Sequence, residues 1–505
     1  MGAGGLGGLR DNRPNEPTEH GYCVLVLSGK HDLYALKCPD VVKAAVRTSF
    51  GDIKNEGSSK KSTGLYKFTF GASIWTGSSG KGEQAVVRLI DALREVGWYL
   101  EVDVGMSRTT FMQVWVLKKR DSQAQGKSCL LGLHDKADVR LVVPDTDGEG
   151  DRKAAAVIKG ISSTLRVEKE EDSPDGRLMK LAGHPFLAEE EGTVAVRQMI
   201  LAVSCELEKC YGNIVSRCVK LSNNQYSKSS LIFYPLGDNQ QQQPKDTIYV
   251  GISLHDEDKI RIFTTPGDAL AEDLGPSLEL CLTEAWPYGI ETKGVYGGSY
   301  QWQLKGSPWS AKGPVEIDAQ LLIGRILGHF WSRGFELMTA FDCSGKLSDM
   351  STIVMRKVAG SIPPDDIPCI PLLCVSFHDK DEIRLSSTEE SSLETLAKVV
   401  NGILGPPCIN VELAADSCGK YGKGVTMKLK VPAFQPGKAN SQSVLCCGLL
   451  LVNLVNVLEG VGWEFRAALD VSGKFYRDHR TANENYSRSE HYHKMGLVTM
   501  YFSKK

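Results

Sequence analysis

The sequence predicts an α+β protein built from four tandem copies of one domain, each an antiparallel sheet covered on one face by two helices. Three recurrences predict it. A strand that ends in an aromatic anchor appears four times, a His-Asp turn appears three times in matching register, and a helical pattern closed by Gly follows each anchor.

The strand figure is clearest from Tyr300 to Trp309. Tyr300, Trp302 and Leu304 alternate with Gln301, Gln303 and Lys305, the period of a half-buried strand. Gly306 lets the chain turn, Pro308 ends the ladder for want of an N–H, and Trp309 folds back into the core. Worn copies end in Gly183, Pro185 and Phe186, in Pro432 and Phe434, and in Gly71 and Trp75, the last without a proline. The anchors Trp75, Phe186, Trp309 and Phe434 are therefore expected in four separate cores.

Upstream of each figure lies a strand–turn–strand unit. Three copies share a turn: His134, Asp135 and Arg140; His255, Asp256 and Arg261; His378, Asp379 and Arg384. The first copy runs from Ser28 to Tyr34 instead. The histidines stand 121 and 123 residues apart and the last three anchors 123 and 125, far above solenoid periods, so each copy is a domain with its own core.

After each anchor comes a helical pattern. Over 319–333 it places Ala319, Ile323, Ile326, Leu327 and Phe330 on one face. The runs stop at Gly97, Gly212, Gly334 and Gly462, each a natural helix-ending residue. Two more strands close the copy, giving the order β-β-α-β-α-β-β. Hairpins at both ends imply an antiparallel sheet with one face left open to solvent, to a neighbouring copy or to a partner.

The expected map is a disordered tail over 1–19, then repeats over 20–120, 128–237, 246–358 and 369–505. Polar or Pro-rich linkers lie between them, and the fourth repeat carries an insertion over 472–494. A 505-residue chain is long enough for four domains, and a formal net charge of −2 provides no general pull toward nucleic acid or anionic membrane. No apolar run reaches membrane-spanning length and no cleavable leader is visible. Fourteen cysteines scattered through strands and helices, without C-x-x-C pairs, read as reduced thiols of a cytoplasmic protein.

Several motifs fail their own tests. The G-x-G-x-x-G from Gly2 to Gly7 has no strand before it, so it is no dinucleotide loop. The loop from Gly77 to Gly82 has Trp75 and Gly82 where a P-loop needs Gly and Ser or Thr, and reads as a connector to a helix starting near Glu83. The acidic loop from Asp145 to Asp151 lacks the bidentate Glu of a calcium loop. His479, His491 and His493 in the insertion lack a zinc spacing. No cofactor or metal site is expected.

The best site candidates are thus the turns: His134, Asp135, Arg140, His255, Asp256, Arg261, His378, Asp379 and Arg384. Their competing reading is ordinary turn chemistry followed by a solvated strand Arg. No nucleophile-and-base or paired-carboxylate motif accompanies them. The run from Gly298 to Trp309, followed by a helix and Gly-Phe, resembles a domain of uncharacterised eukaryotic repeat proteins with a Gly-x-Pro-Trp strand end. The resemblance implies domain integrity and no activity. The expected function is a non-enzymatic intracellular adaptor binding protein partners. The alternative is a small-molecule-sensing or catalytic protein using the cleft of one repeat, the third first, with RNA binding ranked last.

Overall fold

The computed structural model describes residues 17–18, 20–58, 65–71, 74–75, 80–106, 111–121, 126–144, 148–189, 191–212, 214–221, 228–235, 247–266, 271–343, 350–357, 371–378, 381–403, 412–418, 423–429, 434, 441–471, 475–477, 492–494 and 498–504. Its helices are α1 (Asp40–Ser49), α2 (Gly80–Glu95), α3 (Glu149–Ser162), α4 (Gly192–Tyr211), α5 (Ala271–Ala285), α6 (Pro314–Trp331), α7 (Glu390–Ile403) and α8 (Ser441–Gly460), two per repeat.

The third repeat shows the plan. A hairpin (Ile248–His255, Lys259–Thr264) leads into α5, and a second hairpin (Ile290–Tyr296, Ser299–Leu304) leads into α6. A third pair, Phe335–Phe341 and Thr352–Lys357, closes the unit. The order is β-β-α-β-β-α-β-β, one strand more than the sequence reading. The six strands lie side by side in the order 3-4-2-1-6-5, and all four repeats share this order. The added third strand is the outer edge of each sheet. It is hard to read because an edge strand has no face that must be apolar; Val167–Ser173 is mostly acidic and almost wholly exposed. Charge on an exposed edge also discourages pairing with a foreign strand.

The shared figure closes each repeat in the same way. Trp309 N–H donates to Glu257 O (2.9 Å), Phe186 N–H to Lys136 O (3.1 Å) and Trp75 N–H to Lys30 O (3.4 Å), so these three anchors are tied to the first hairpin's turn. Trp75, Phe186, Trp309 and Phe434 are all buried, one in each of four cores. Gly97, Gly212, Gly334 and Gly462 take positive φ of 70–86° at the helix ends.

Some loop readings shift. Gly80 and Gly82, expected in a connector, form the first turn of α2, and a Cβ on Gly82 would stand 2.5 Å from Ile74 O. Thr18, placed in the tail, is buried and accepts the Tyr22 N–H at 2.9 Å. In the insertion Phe475–Arg477 pairs with Tyr492–Lys494, while His479 and His491 lie outside the described residues.

The open sheet faces are covered by neighbouring repeats. The second helix of each repeat packs on its own sheet and on the open face of the next: α2 on repeat two, α4 on repeat three, α6 on repeat four, and α8 back on repeat one. The cores follow. Leu130, Ile232 and Tyr234 of repeat two join the core of repeat one, and Val24, Val26 and Leu36 of repeat one join that of repeat four. The four repeats therefore form a closed ring. Their fifth strands (Trp98–Gly105, Ile214–Val219, Phe335–Phe341, Trp463–Leu469) meet one after another around its centre. These inner edges are capped across the junctions: Arg217 Nε donates to Leu100 O (3.0 Å) and Arg356 Nη1 to Ile214 O (3.1 Å).

Candidate functional site

The His-Asp-Arg turns lie at the ring junctions. Each meets the first turn of the second helix of the preceding repeat. At the first junction Glu83 of α2, 5% exposed, stands 3.0 Å from His134 Nε2 and 3.2 Å from Arg140 Nη1. Gly132 makes room for it, since a Cβ there would fall 2.1 Å from Glu83 Oε1. At the third junction Glu316 of α6 repeats the arrangement, 2.9 Å from Arg384 Nη1 and 3.7 Å from His378 Nδ1. Ser376 occupies the place of Gly132 there, and its hydroxyl pairs with His378 Nε2 at 2.7 Å.

The second junction replaces the carboxylate. Thr193 stands where Glu83 and Glu316 stand, and accepts from Arg261 Nη1 at 2.9 Å. Arg261 also donates to Gln301 Oε1 (2.7 Å) and stacks 4.2 Å over the Tyr296 ring. His255 bonds Ser253 Oγ at 2.7 Å. Burial, reinforced by Arg197, Arg261 and Lys259, drives the His255 pKa well below the ordinary imidazole value, so the ring is neutral. Arg261 is 4% exposed and His255 9%; the sequence expectation of a solvated strand Arg does not hold, because the open sheet face lies under α4.

The acidic members play another part. Asp135 and Asp256 take positive φ of 42° and 51°, conformations Asp tolerates, and Asp256 pairs with Lys259 at 2.7 Å on the surface. Asp379 lies outside the described residues. In the first repeat Asp32 bonds within its own sheet, to Lys67 Nζ and Thr69 Oγ1, both at 2.9 Å.

Ser376, His378 and Glu316 stand in the order of nucleophile, base and orienting acid. The geometry does not suit catalysis. Ser376 is 1% exposed, its hydroxyl also reaches Gln320 Oε1 at 3.3 Å, and the 3.7 Å His378–Glu316 separation exceeds a hydrogen bond. Among the described residues, no three His, Cys, Asp or Glu side chains gather as a metal site would require.

A second contact, at three of the four junctions, escaped sequence reasoning. It sits at the C-terminal end of the same helices. Glu208 of α4, sealed from solvent, accepts from the Tyr249 hydroxyl (2.5 Å) and from Arg356 Nη1 (2.5 Å) of repeat three. Burial and the Glu208 charge push the Tyr249 pKa well up, keeping its hydroxyl a donor. Glu459 of α8 holds Tyr22 and Lys118 of repeat one in the same way, with Lys118 Nζ at 2.8 Å. In α2 the charge is reversed: Arg94 donates to Ser128 Oγ (3.1 Å) and Pro235 O (3.0 Å) and lies 4.5 Å over the Tyr234 ring. The sequence marks this contact only in part, by a charge three or four residues before the helix-ending Gly in α2, α4 and α8.

A ring of four α+β repeats joined by paired contacts is a tandem-repeat architecture. The model of an uncharacterised domain family matches twice, over residues 249–356 and 371–485, the third and fourth repeats. No curated protein matches. A solved structure, of a conserved kinetoplastid-specific protein from Trypanosoma cruzi, is similar at 15% identity, covering 27% of this chain and all of that one, with a TM-score of 0.17. Among the described residues no helix is long and apolar enough to cross a membrane.

Proposed function

We propose that the chain is a non-enzymatic intracellular scaffold, a ring of four copies of one domain that presents its outer surface to protein partners. One observation carries this reading: at three junctions the Arg of the turn, and at the first the His as well, is engaged with the neighbouring repeat's helix. Groups so buried and neutralised are poorly placed to act on a substrate in solution. The strand order shared by all four repeats supports counting the first two with the two that the family model matches.

The described cysteines are free thiols, which supports a reducing compartment. The outer surface offers apolar footholds in the third repeat, Val295 at 81% and Leu280 at 67% exposure. Affinity purification of the tagged chain under reducing conditions tests the proposal. Stoichiometric protein partners are expected, lost on Val295→Asp with Leu280→Asp and kept on His134→Gln. A chemical activity abolished by His134→Gln or His378→Gln with the melting temperature unchanged would overturn the scaffold reading.

A further inference from the structure

The junction that closes the ring differs from the others in having no linker peptide across it. Among the described residues repeat four meets repeat one through side-chain contacts, the His20 N–H donated to Asn456 Oδ1 and a shared core. At this seam lies a cavity of about 260 Å³. Its apolar side is Val102 and Val116 of repeat one with Val455 and Phe465 of repeat four. Its polar side is Glu101, Lys118 and Arg120 of repeat one with Glu464 of repeat four.

The two acids and two bases of the lining are each paired within the protein, Glu464 with Arg466 at 2.9 Å, so a lone anion or cation entering would leave one sign in excess. Each cation is already neutralised and positioned: Arg120 donates to Glu101 at 2.6 Å, and Lys118 sits 2.8 Å from Glu459. Arg120 remains over a third exposed, and Glu464 likewise, so both can turn toward a guest. A guest carrying one carboxylate and one ammonium keeps the balance, its acid between Lys118 and Arg120, its amine between Glu101 and Glu464. The volume falls below the roughly 300–1,000 Å³ of drug-sized clefts, which sets the guest near amino-acid size. The four apolar side chains call for an aliphatic group.

We infer that the seam between repeats four and one binds a small zwitterion with an aliphatic side chain, of the free amino acid class, and that the guest fastens the ring shut. This site lies at the seam, not in the cleft of a single repeat, and it does not depend on the scaffold reading.

Thermal melts and calorimetric titration of the full chain test it, with leucine, valine and methionine as probes. Matched half-ligands, 4-methylvalerate and isoamylamine, are the controls. A saturable rise in melting temperature is expected with at least one amino acid and not with the half-ligands. Arg120→Gln and Glu464→Gln should each raise its Kd by about tenfold or more, the loss of one charge-assisted bond. Val102→Phe, which fills the cavity, should abolish binding; if it does not fold, the two polar variants decide. No saturable shift by about 10 mM ligand, an equal shift with a half-ligand, or binding indifferent to Arg120 and Glu464 would overturn the inference.

Discussion

The first and second junctions use one architecture with opposite charge. At the end of α2 stands Arg94, facing Ser128, Tyr234 and a carbonyl; at the end of α4 stands Glu208, facing Tyr249 and Arg356. At the start of the same helices Glu83 meets His134 and Arg140, whereas Thr193 meets Arg261. Four sheets of one shape could accept any of the four helices. The charges oppose it: α4 docked on repeat two would set Glu208 against Ser128 and Tyr234 in place of Tyr249 and Arg356, and α2 docked on repeat three would set Arg94 against Arg356. Unpaired buried charge costs several kcal/mol, enough to fix the order of repeats.

The comparison breaks most sharply at Glu208. Glu208→Ala takes the sealed carboxylate from the buried Arg356 guanidinium, leaving it the exposed Glu336 at 3.3 Å, and should destabilise by about 3 kcal/mol in urea melts. Arg94→Ala should cost less, about 1–3 kcal/mol, because its partner Asp91 keeps the Ser128 N–H (2.9 Å) and hydroxyl (2.6 Å). Equal losses would mean that the two ends are not used differently.

The helix starts sharpen the same contrast. Glu83→Ala strands both His134 and Arg140 and should cost about 1–3 kcal/mol, against about 1 kcal/mol for the single neutral acceptor lost in Thr193→Ala. The ranking, read from chemical denaturation at one pH, is the test. A larger loss for Thr193→Ala would reverse the reading.

Acid should separate the junctions further. His255 titrates well below the ordinary value, and burial together with Arg333 brings His329 of α6 down to about 4. Both rings are neutral in the folded ring, while an unfolded chain takes up their protons near pH 6.5. Their contribution is thus complete above pH 6.5 and is lost as pH falls from there toward 4. His255→Gln or His329→Gln should flatten the melting-temperature profile over that window. Asp103 works in the opposite sense: burial raises its carboxyl to about 7, against the Lys220 N–H that bonds it, so it favours the fold as pH drops below 7. Asp103→Asn should steepen the acid loss.

The smallest effect belongs to the Lys67–Asp32 pair of the first repeat. Lys67 and Asp32 are partly exposed and lie within one sheet, so Lys67→Ala should cost no more than about 1 kcal/mol and lose even that in high salt.

What is local in this protein was legible in its sequence. Alternation around Trp302, the turn at Gly306 and the anchor Trp309 each need only a dozen neighbouring residues, so strands, helix ends and the number of repeats could be read directly. Trp309 is 1% exposed for a reason already contained in that short stretch. The third strand was lost because Val167–Ser173 is an edge, where no buried face imposes a pattern. The burial of Arg261 and the roles of Glu208 and Arg94 depend on which helix covers which sheet, contacts that span from 34 residues for Arg94 and Ser128 to 148 for Arg356 and Glu208. Alternation says that a sheet has a second face and not what lies on it. Only the closing of the ring put α8 against Tyr22 and Lys118, because apolar burial is nondirectional and just the assembled geometry selects the charges that must meet.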